Sequence, residues 1–217
     1  MKDLIIFGAS GFGREVAWLV ERINKVNPTW NLLGFMDDDE SIQGTEINGY
    51  KVLGKTNNIP EYPEAYFLCA VGASKTREKI IENMKSIKSD ILFATVIDLS
   101  VELSELVEIG EGSIICAHTI ITVNVSIGSN VIINLDCTVG HDAILEDFVT
   151  LYPSVNVSGI THIRKASELG TGTQVIRGKT IGEYSIVGAG AIVVNNIPAN
   201  CTAVGTPAKP IKYLEDI

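Results

Sequence analysis

The chain has 217 residues, of which 46% are hydrophobic and only 6% aromatic. It carries 26 acidic and 17 basic side chains, so its formal net charge is −9. An acidic chain is a poor candidate for nucleic-acid binding, because that binding depends on neutralising phosphates with Lys and Arg. The apolar content is mostly aliphatic, which suits stacked strands, and the length allows one large domain or two small ones.

Neither the cysteines nor the apolar runs point to export or to a membrane. The four cysteines, Cys69, Cys116, Cys137 and Cys201, form no CxxC motif, and we interpret them as buried thiols of a reducing compartment. The apolar run at the N-terminus is too short for the core of a signal peptide. No run reaches the roughly 20 residues that span a bilayer. We therefore expect a soluble cytoplasmic protein.

Residues 1–95 predict a small Rossmann-like α/β domain. Residues 4–7 are typical of a buried strand, a glycine-rich turn follows, and helical periodicity runs from Glu15 to Ile23. This arrangement points backbone N–H groups at a phosphate. A second strand, residues 32–36, ends at Asp37 and Asp38, where an acidic side chain can accept hydrogen bonds from a ribose or a base.

The rest of this domain continues the alternation of strand and helix. A third strand at 66–71 ends at Gly72, a helix runs to about Met84, and a fourth strand occupies 91–94. The glycines at 8, 11 and 13 do not have the GxGxxG spacing of dinucleotide-binding domains. Nucleotide binding and simple helix–strand packing therefore both remain open, whereas bound NAD is disfavoured.

A six-residue repeat dominates the second half of the chain. Every sixth residue from 109 to 193 is a branched aliphatic, fifteen in all: Ile109, Ile115, Ile121, Ile127, Ile133, Val139, Leu145, Leu151, Val157, Ile163, Leu169, Val175, Ile181, Val187 and Val193. A sandwich of ordinary strands would alternate with period two instead. Such a fixed period is the signature of a solenoid.

A second register follows four residues after each aliphatic. Its members are small or β-branched, with Lys179 as the exception, and glycine often directly follows the aliphatic. We interpret these glycines as residues that supply the unusual backbone angles of a tight corner. The pattern predicts a three-sided prism whose aliphatic and small residues point inward. Residues 109–198 make five coils of 18 residues, about 24 Å tall at the usual strand spacing.

Three histidines, His118, His141 and His162, occupy outward positions of this prism. Only His141 is followed by an acid, Asp142, and a carboxylate that orients an imidazole is the general arrangement of an activated base. Each histidine can also be an ordinary surface residue, and a zinc site lacks any local chelating spacing. A nucleophilic Cys137 is disfavoured because its position points inward.

Several motifs together resemble one known family. They are the hexapeptide prism, the turn at 8–13, the segment 34–38, the pair His141-Asp142 and the segment 204–209. The chain resembles the sugar O/N-acyltransferases, which include sialic-acid O-acetyltransferases and N-acetyltransferases of nucleotide-linked 4-amino sugars. The resemblance implies a Rossmann-like nucleotide-sugar-binding domain at 1–95 and a left-handed parallel β-helix with a C-terminal tail at 96–217. It also implies a homotrimer, acetyl-CoA as co-substrate, and no permanently bound cofactor or metal.

The resemblance also implies an activity and a set of site residues. We expect an acetyl-CoA-dependent N-acetyltransferase of surface polysaccharide biosynthesis, acting on a nucleotide-linked 4-amino-4,6-dideoxy sugar with His141 as base and Asp142 as its partner. The alternatives are sugar O-acetylation and a non-catalytic or metal-binding trimer. The implied nucleotide-sugar contacts are Ser10, Gly11, Phe12, Asp37, Asp38 and Gly72. The implied acetyl-CoA contacts are Asn134, Thr150, Gly159, Thr171 and Ala189.

Some positions depart from the family pattern. Certain relatives have a second histidine where this chain has Thr150, and many have His-Pro where this chain has Asp98-Leu99. The first difference bears on the expected acetyl-CoA contact at Thr150, and the second on the junction between the two domains.

Overall fold

The computed structural model describes residues 1–214, so the last three residues of the predicted C-terminal tail lie outside the described residues. A small parallel α/β domain is followed by a left-handed β-helix of short parallel strands, and the predicted fold class is confirmed. Within residues 1–214, no helix has both the length and the apolar character needed to cross a membrane.

The N-terminal domain is a parallel sheet with two α-helices. In chain order its elements are β1 (Lys2–Phe7), α1 (Gly11–Val26), β2 (Trp30–Met36), β3 (Glu46–Ile47), β4 (Tyr50–Lys51), β5 (Tyr66–Cys69), α2 (Ser74–Ile87) and β6 (Leu92–Phe93), with 3₁₀ turns at Glu40–Ile42 and Thr56–Glu61. The sheet has four strands in the order β2-β1-β5-β6. The helix α1 begins at Gly11, four residues before the periodicity indicates. A Cβ at Gly13 would lie 1.9 Å from the carbonyl oxygen of Gly8, so this glycine lets the helix start close against the end of β1.

The second domain is a prism with three faces. Face 1 contains Val96–Ile97, Ile114–Ile115, Ile132–Ile133, Thr150–Leu151, Glu168–Leu169 and Ile186–Val187, and a hairpin of Cys201–Val204 and Lys209–Tyr213 extends it. Face 2 contains Glu102–Leu103, Ile120–Ile121, Thr138–Val139, Asn156–Val157, Gln174–Val175 and Ile192–Val193. Face 3 contains Glu108–Ile109, Ser126–Ile127, Ile144–Leu145, His162–Ile163 and Thr180–Ile181.

The prism begins at Val96–Ile97, two strands before Ile109. Val96–Ile97 pairs in parallel with Ile114–Ile115, so only two residues separate the first coil from the end of β6 at Phe93. The apolar side of α1 packs in one cluster with Ile114 and Ile132 of face 1. The two domains therefore share a continuous core and have no linker between them.

The corners differ from the expectation in their backbone angles. From Ile109 to Val187, the residue with positive φ is the third after each aliphatic, not the first: Gly112, His118, Asn124, Asn130, Asp136, Asp142, Phe148, Ser154, Ile160, Ala166, Gly172, Gly178, Tyr184 and Gly190. The glycines directly after the aliphatics serve another purpose. A Cβ at Gly140 would lie 2.6 Å from the backbone nitrogen of Gly159 in the next coil. The expectation that these glycines supply turn angles is wrong; they allow successive coils to approach.

The interior of the prism is a single apolar cluster built from the aliphatic and the small register. Cys137 lies inside it, as the register predicts, and burial raises the pKa of its thiol to about 12. All four cysteines are buried and unpaired. At neutral pH, Cys137 is therefore a neutral thiol and not a reactive thiolate.

A buried arginine connects the domains. Arg77, on α2, is fully buried, and burial lowers its pKa to about 10, so it stays charged at neutral pH. Its guanidinium donates hydrogen bonds to acceptors in both domains: Val71 O (2.6 Å), Gly72 O (3.0 Å), Asn130 O (2.9 Å), Phe148 O (2.7 Å) and Thr150 Oγ1 (2.9 Å). One side chain therefore satisfies carbonyl groups that the interface between the domains removes from water.

We predict that Arg77→Ala lowers the free energy of unfolding by about 3 kcal/mol or more, because it leaves several buried carbonyl groups without donors. Urea denaturation followed by circular dichroism measures the change. Lys79→Ala is the control, since Lys79 is an exposed cation on the same helix. A loss below about 1 kcal/mol for Arg77→Ala would contradict the role given to this side chain.

Candidate active site

His141 and Asp142 lie at the corner between faces 2 and 3, and both side chains are half exposed. The Nδ1 atom of His141 is 2.7 Å from Oδ2 of Asp142, and Nδ2 of Asn124, one coil away, donates to Oδ1 at 3.2 Å. These two hydrogen bonds, chiefly the one from His141, hold the pKa of Asp142 below its usual value. The ionised carboxylate therefore keeps the imidazole proton on Nδ1 and leaves Nε2 as the acceptor.

The free nitrogen of His141 faces the next coil at Gly159. A Cβ built on Gly159 would lie 2.5 Å from Nε2 of His141, so only glycine leaves the imidazole its position. The N–H of Gly159 has no acceptor within residues 1–214. A proton acceptor thus lies beside a residue whose backbone donor is unused, and acyl transfer requires groups of both kinds.

Face 2 borders this corner with a shallow depression of about 340 Å³. Its lining residues are Ile120, Thr122, Thr138, Val139, Gly140, Asn156, Val157 and Ser158. Of the predicted acetyl-CoA contacts, Gly159 lies on the His141 corner, and the exposed Thr171 and Ala189 lie on the opposite corner, between faces 1 and 2. These three residues flank face 2 on either side.

A cavity of about 250 Å³ lies between α1 and the prism, beside face 1. It brings together four predicted site residues: Phe12 and Gly72 from the nucleotide-sugar set, and Asn134 and Thr150 from the acetyl-CoA set. Thr150 is fully buried; its hydroxyl donates to Gly72 O at 2.8 Å and accepts from Arg77 at 2.9 Å. Thr150 therefore holds the Gly72 loop in place and is not brought together with Gly159, Thr171 and Ala189.

The remaining nucleotide-sugar candidates surround the glycine-rich turn. Asp37 accepts from the backbone N–H of Ala9 at 2.9 Å, and so fixes the shape of that turn. Asp38 accepts from both the N–H and the hydroxyl of Thr56. Ser10 and Gly11 are exposed at the start of α1, where the Ser10 side chain makes no capping hydrogen bond. The two carboxylates thus have structural partners, whereas the start of the helix is open to solvent.

A second imidazole–carboxylate pair went unnoticed in the sequence. Nε2 of His162 is 2.6 Å from Oε1 of Glu146, on face 3. The two residues are 16 positions apart, close to one 18-residue coil, so a search at that spacing could have found them. His118 is exposed at a corner. Across residues 1–214, no group of three or more His, Cys, Asp or Glu side chains is arranged to hold a metal ion.

Exposed aliphatic side chains surround His141. They lie on face 2, on face 3 and on the corner between them: Ile120, Val123, Ile144, Ile160 and Ile176. The cavity beside Gly72, by contrast, lies against face 1. Within one copy of the chain, the catalytic candidate and this cavity are on different sides of the prism.

Comparison with known proteins decides the family. The model of the PglD N-terminal domain matches residues 3–84. The acetyltransferase domain of PglB from Neisseria gonorrhoeae FA1090, in complex with acetyl coenzyme A, is 32% identical over 97% of this chain and 99% of that one, with a TM-score of 0.88. The chain belongs to the hexapeptide-repeat sugar acyltransferases.

Two further solved members of similar shape cover almost the whole chain. WeeI from Acinetobacter baumannii AYE is 30% identical, over 97% of this chain and 100% of that one, with a TM-score of 0.84. A variant of perosamine N-acetyltransferase from Caulobacter crescentus, in complex with CoA and GDP-perosamine, is 27% identical over 98% of each chain, with a TM-score of 0.85. Membership in this acyltransferase family confirms the predicted enzyme class, acetyltransferase. The PglB domain was solved with acetyl coenzyme A and the perosamine N-acetyltransferase variant with CoA.

Curated relatives match over a shorter segment. The chain spans 44% of a putative acetyltransferase from Schizosaccharomyces pombe, to which it is 40% identical over 95 residues. It spans 56% of the galactoside O-acetyltransferase of Escherichia coli, with 31% identity over 113 residues. The chain thus spans only about half the length of these relatives, and their names do not identify its own acceptor.

We predict that Gly159→Ala lowers kcat about 100-fold, because the added methyl displaces the imidazole of His141 and a misplacement near 1 Å costs about that much. Steady-state kinetics with acetyl-CoA measures the effect, and thermal denaturation checks that the fold is kept. Ser126→Ala, an exposed change on face 3, is the control. Unchanged kcat in Gly159→Ala would show that the position of His141 beside Gly159 does not matter for turnover.

Proposed function

We propose that the protein transfers the acetyl group of acetyl-CoA to the amino group of a nucleotide-linked 4-amino-4,6-dideoxy sugar. The observation that carries the proposal is the His141–Asp142 pair, whose free Nε2 faces Gly159, a residue whose N–H has no acceptor within residues 1–214. The perosamine N-acetyltransferase, similar over 98% of the chain, supports the class of acceptor. The N-terminal domain with its open helix start suits the nucleotide.

The residues of this chain support a direct transfer. The neutral amine attacks the thioester carbonyl carbon, while His141 Nε2 accepts a proton from the amine nitrogen. Asp142 stabilises the imidazolium that results. The N–H of Gly159 donates to the oxygen that becomes negative. The carbon–sulfur bond then breaks, His141 returns the proton to sulfur, and the products are the N-acetyl sugar and CoA.

The same proposal includes a homotrimer. The cavity beside Gly72 lies against face 1, whereas His141 lies on the corner between faces 2 and 3, so one copy cannot present both to one substrate. The exposed aliphatics around His141 are a surface that a second copy can cover. Three copies related by a cyclic axis would make three equivalent sites. Unpaired buried cysteines and the use of acetyl-CoA are both in keeping with the cytoplasm.

Acetylation of a sugar hydroxyl is the second candidate. It is favoured by the similarity to the galactoside O-acetyltransferase over 113 residues. A hydroxyl is a weaker nucleophile than an amine and depends more on a base, so the same pair His141–Asp142 serves either acceptor. The two candidate functions therefore differ in the acceptor and not in the catalytic pair.

Incubation with acetyl-CoA and a panel of acceptors tests the function, with release of the CoA thiol as the signal. The four protein cysteines are buried, so they contribute little background. We expect nucleotide-linked 4-amino sugars to be acetylated in preference to free sialic acid and galactosides. With the accepted sugar, His141→Ala should lower kcat by about 10²–10⁴, the usual contribution of a general base. His118→Ala, another exposed histidine, is the control.

Two results would oppose the proposal. Preference for a hydroxyl acceptor would favour O-acetylation as the function. Near-normal kcat in His141→Ala would show that His141 is not the base.

Mixing two inactive variants tests the shared site. His141→Ala lacks the base, and Gly72→Trp fills the cavity while its backbone, with ordinary φ and space for a Cβ, is preserved. We predict that co-expression of the two variants restores part of the activity, because some interfaces then combine an intact cavity with an intact His141. Restoration should be absent when each is expressed alone. Activity that stays at the level of the single variants would argue for a site within one copy.

A further inference from the structure

The cavity beside Gly72 has few side chains that can accept a hydrogen bond from a ligand. Thr150 is fully buried, and its hydroxyl already donates to Gly72 O. Asn134 uses its Oδ1 to accept from a backbone N–H at 2.7 Å, so the rest of its amide can only donate. Glu15 is exposed, so water competes for its carboxylate. Tyr152 is the remaining polar side chain of this lining, and it is partly buried.

The hydroxyl of Tyr152 has a fixed direction. It donates to Oε2 of Glu168 at 3.1 Å, while Oε1 of Glu168 accepts from the N–H of Ser74 at 2.8 Å. Burial and, after it, the charge of Glu168 raise the pKa of Tyr152 to about 12, so the hydroxyl keeps its proton. Its oxygen accepts no hydrogen bond within residues 1–214 and lies 3.5 Å from the position of a Cβ on Gly72. Tyr152 therefore offers the cavity an acceptor whose own proton is already used.

We propose that Tyr152 is a specificity-determining residue whose hydroxyl oxygen accepts a hydrogen bond from the amino group of the acceptor sugar. The inference rests on the proposed function, which it deepens by naming the group that recognises the amine. A neutral amine that attacks the thioester has one lone pair and two N–H groups. The lone pair faces the carbonyl carbon, one N–H faces His141, and the second N–H is free for Tyr152.

The same contact disfavours a hydroxyl acceptor. A hydroxyl has a single hydrogen, which His141 must accept during the attack, so none is left for Tyr152. A site built around a hydrogen bond discriminates against a ligand that cannot form it. Glu168 is a positioning residue in this arrangement, because it holds the proton of Tyr152 and so keeps the oxygen an acceptor. The nucleophile stays neutral, and the proton transfer to His141 is not altered.

Steady-state kinetics with a nucleoside diphosphate-linked 4-amino-4,6-dideoxyhexose test the inference. The corresponding 4,6-dideoxyhexose, which has no donor at carbon 4, serves as a competitive inhibitor. Tyr152→Phe keeps the ring and removes only the oxygen. We expect kcat/KM for the amino sugar to fall about tenfold, the usual range of one hydrogen bond. The Ki of the inhibitor should stay unchanged.

Glu168→Gln tests the direction of the hydroxyl. The new amide can still accept from the N–H of Ser74 through Oε1, while its Nε2 donates to the oxygen of Tyr152. That oxygen is then occupied, so the same loss of kcat/KM is expected although the contacts are kept. Tyr184→Phe is the matched control: Tyr184 donates to Glu78 at 3.2 Å, and both line a different cavity. This variant should leave kcat/KM and Ki unchanged.

A loss confined to the amino sugar, in Tyr152→Phe and not in Tyr184→Phe, would support the inference. Unchanged kcat/KM in Tyr152→Phe would overturn it. An equal loss of kcat/KM and of inhibitor binding would also overturn it, because Tyr152 would then only support the shape of the cavity. If Glu168→Gln does not fold, Tyr152→Phe decides alone. If the unmodified protein acetylates no amino sugar, the proposed acceptor is wrong, and the inference with it.

Discussion

The structure depends on the stacking of 18-residue coils in register. Each strand pairs in parallel with the strand one coil on, as Thr138 does with Asn156. Residues 18 apart are therefore direct neighbours, separated by about the spacing of paired strands. The close approach requires glycine where backbones meet, as at Gly140. It also places Asn124 next to Asp142 and Gly159 next to His141, so the arrangement proposed for catalysis is a consequence of the stacking.

The interface between the domains adds a second constraint. Within residues 1–214, the prism itself offers only a shallow depression near His141. Depth comes from α1 and the Gly72 loop, which the buried Arg77 and Thr150 hold against face 1. The loop is thus positioned by hydrogen bonds from Arg77 on α2 and from Thr150 on the prism. A ligand in the cavity beside Gly72 touches both domains, and its geometry depends on their docking.

The period of six predicted much of the structure of the prism. It placed the fifteen aliphatics inside the prism and the three histidines outside, because both depend only on a residue's position within one repeat. It did not reveal why glycine follows the aliphatic, since that contact is with the next coil. The pair His162–Glu146 was missed for the same reason. The contacts of Thr150 could not be foreseen, because they depend on how an unrelated domain docks, and no sequence period records that.

The separation of the two parts of the site bears on how such a fold gains selectivity. A corner that carries His141 and Gly159 can serve any acceptor whose nucleophile reaches the thioester, and relatives of this fold include enzymes named for serine and for galactosides. We propose that the acceptor is chosen elsewhere, in the cavity lined by Phe12, Gly72 and Asn134. If neighbouring copies contribute the two parts, the catalytic corner can stay constant while the cavity changes. A new acceptor then requires changes among the residues that line the cavity, and no change at the catalytic corner.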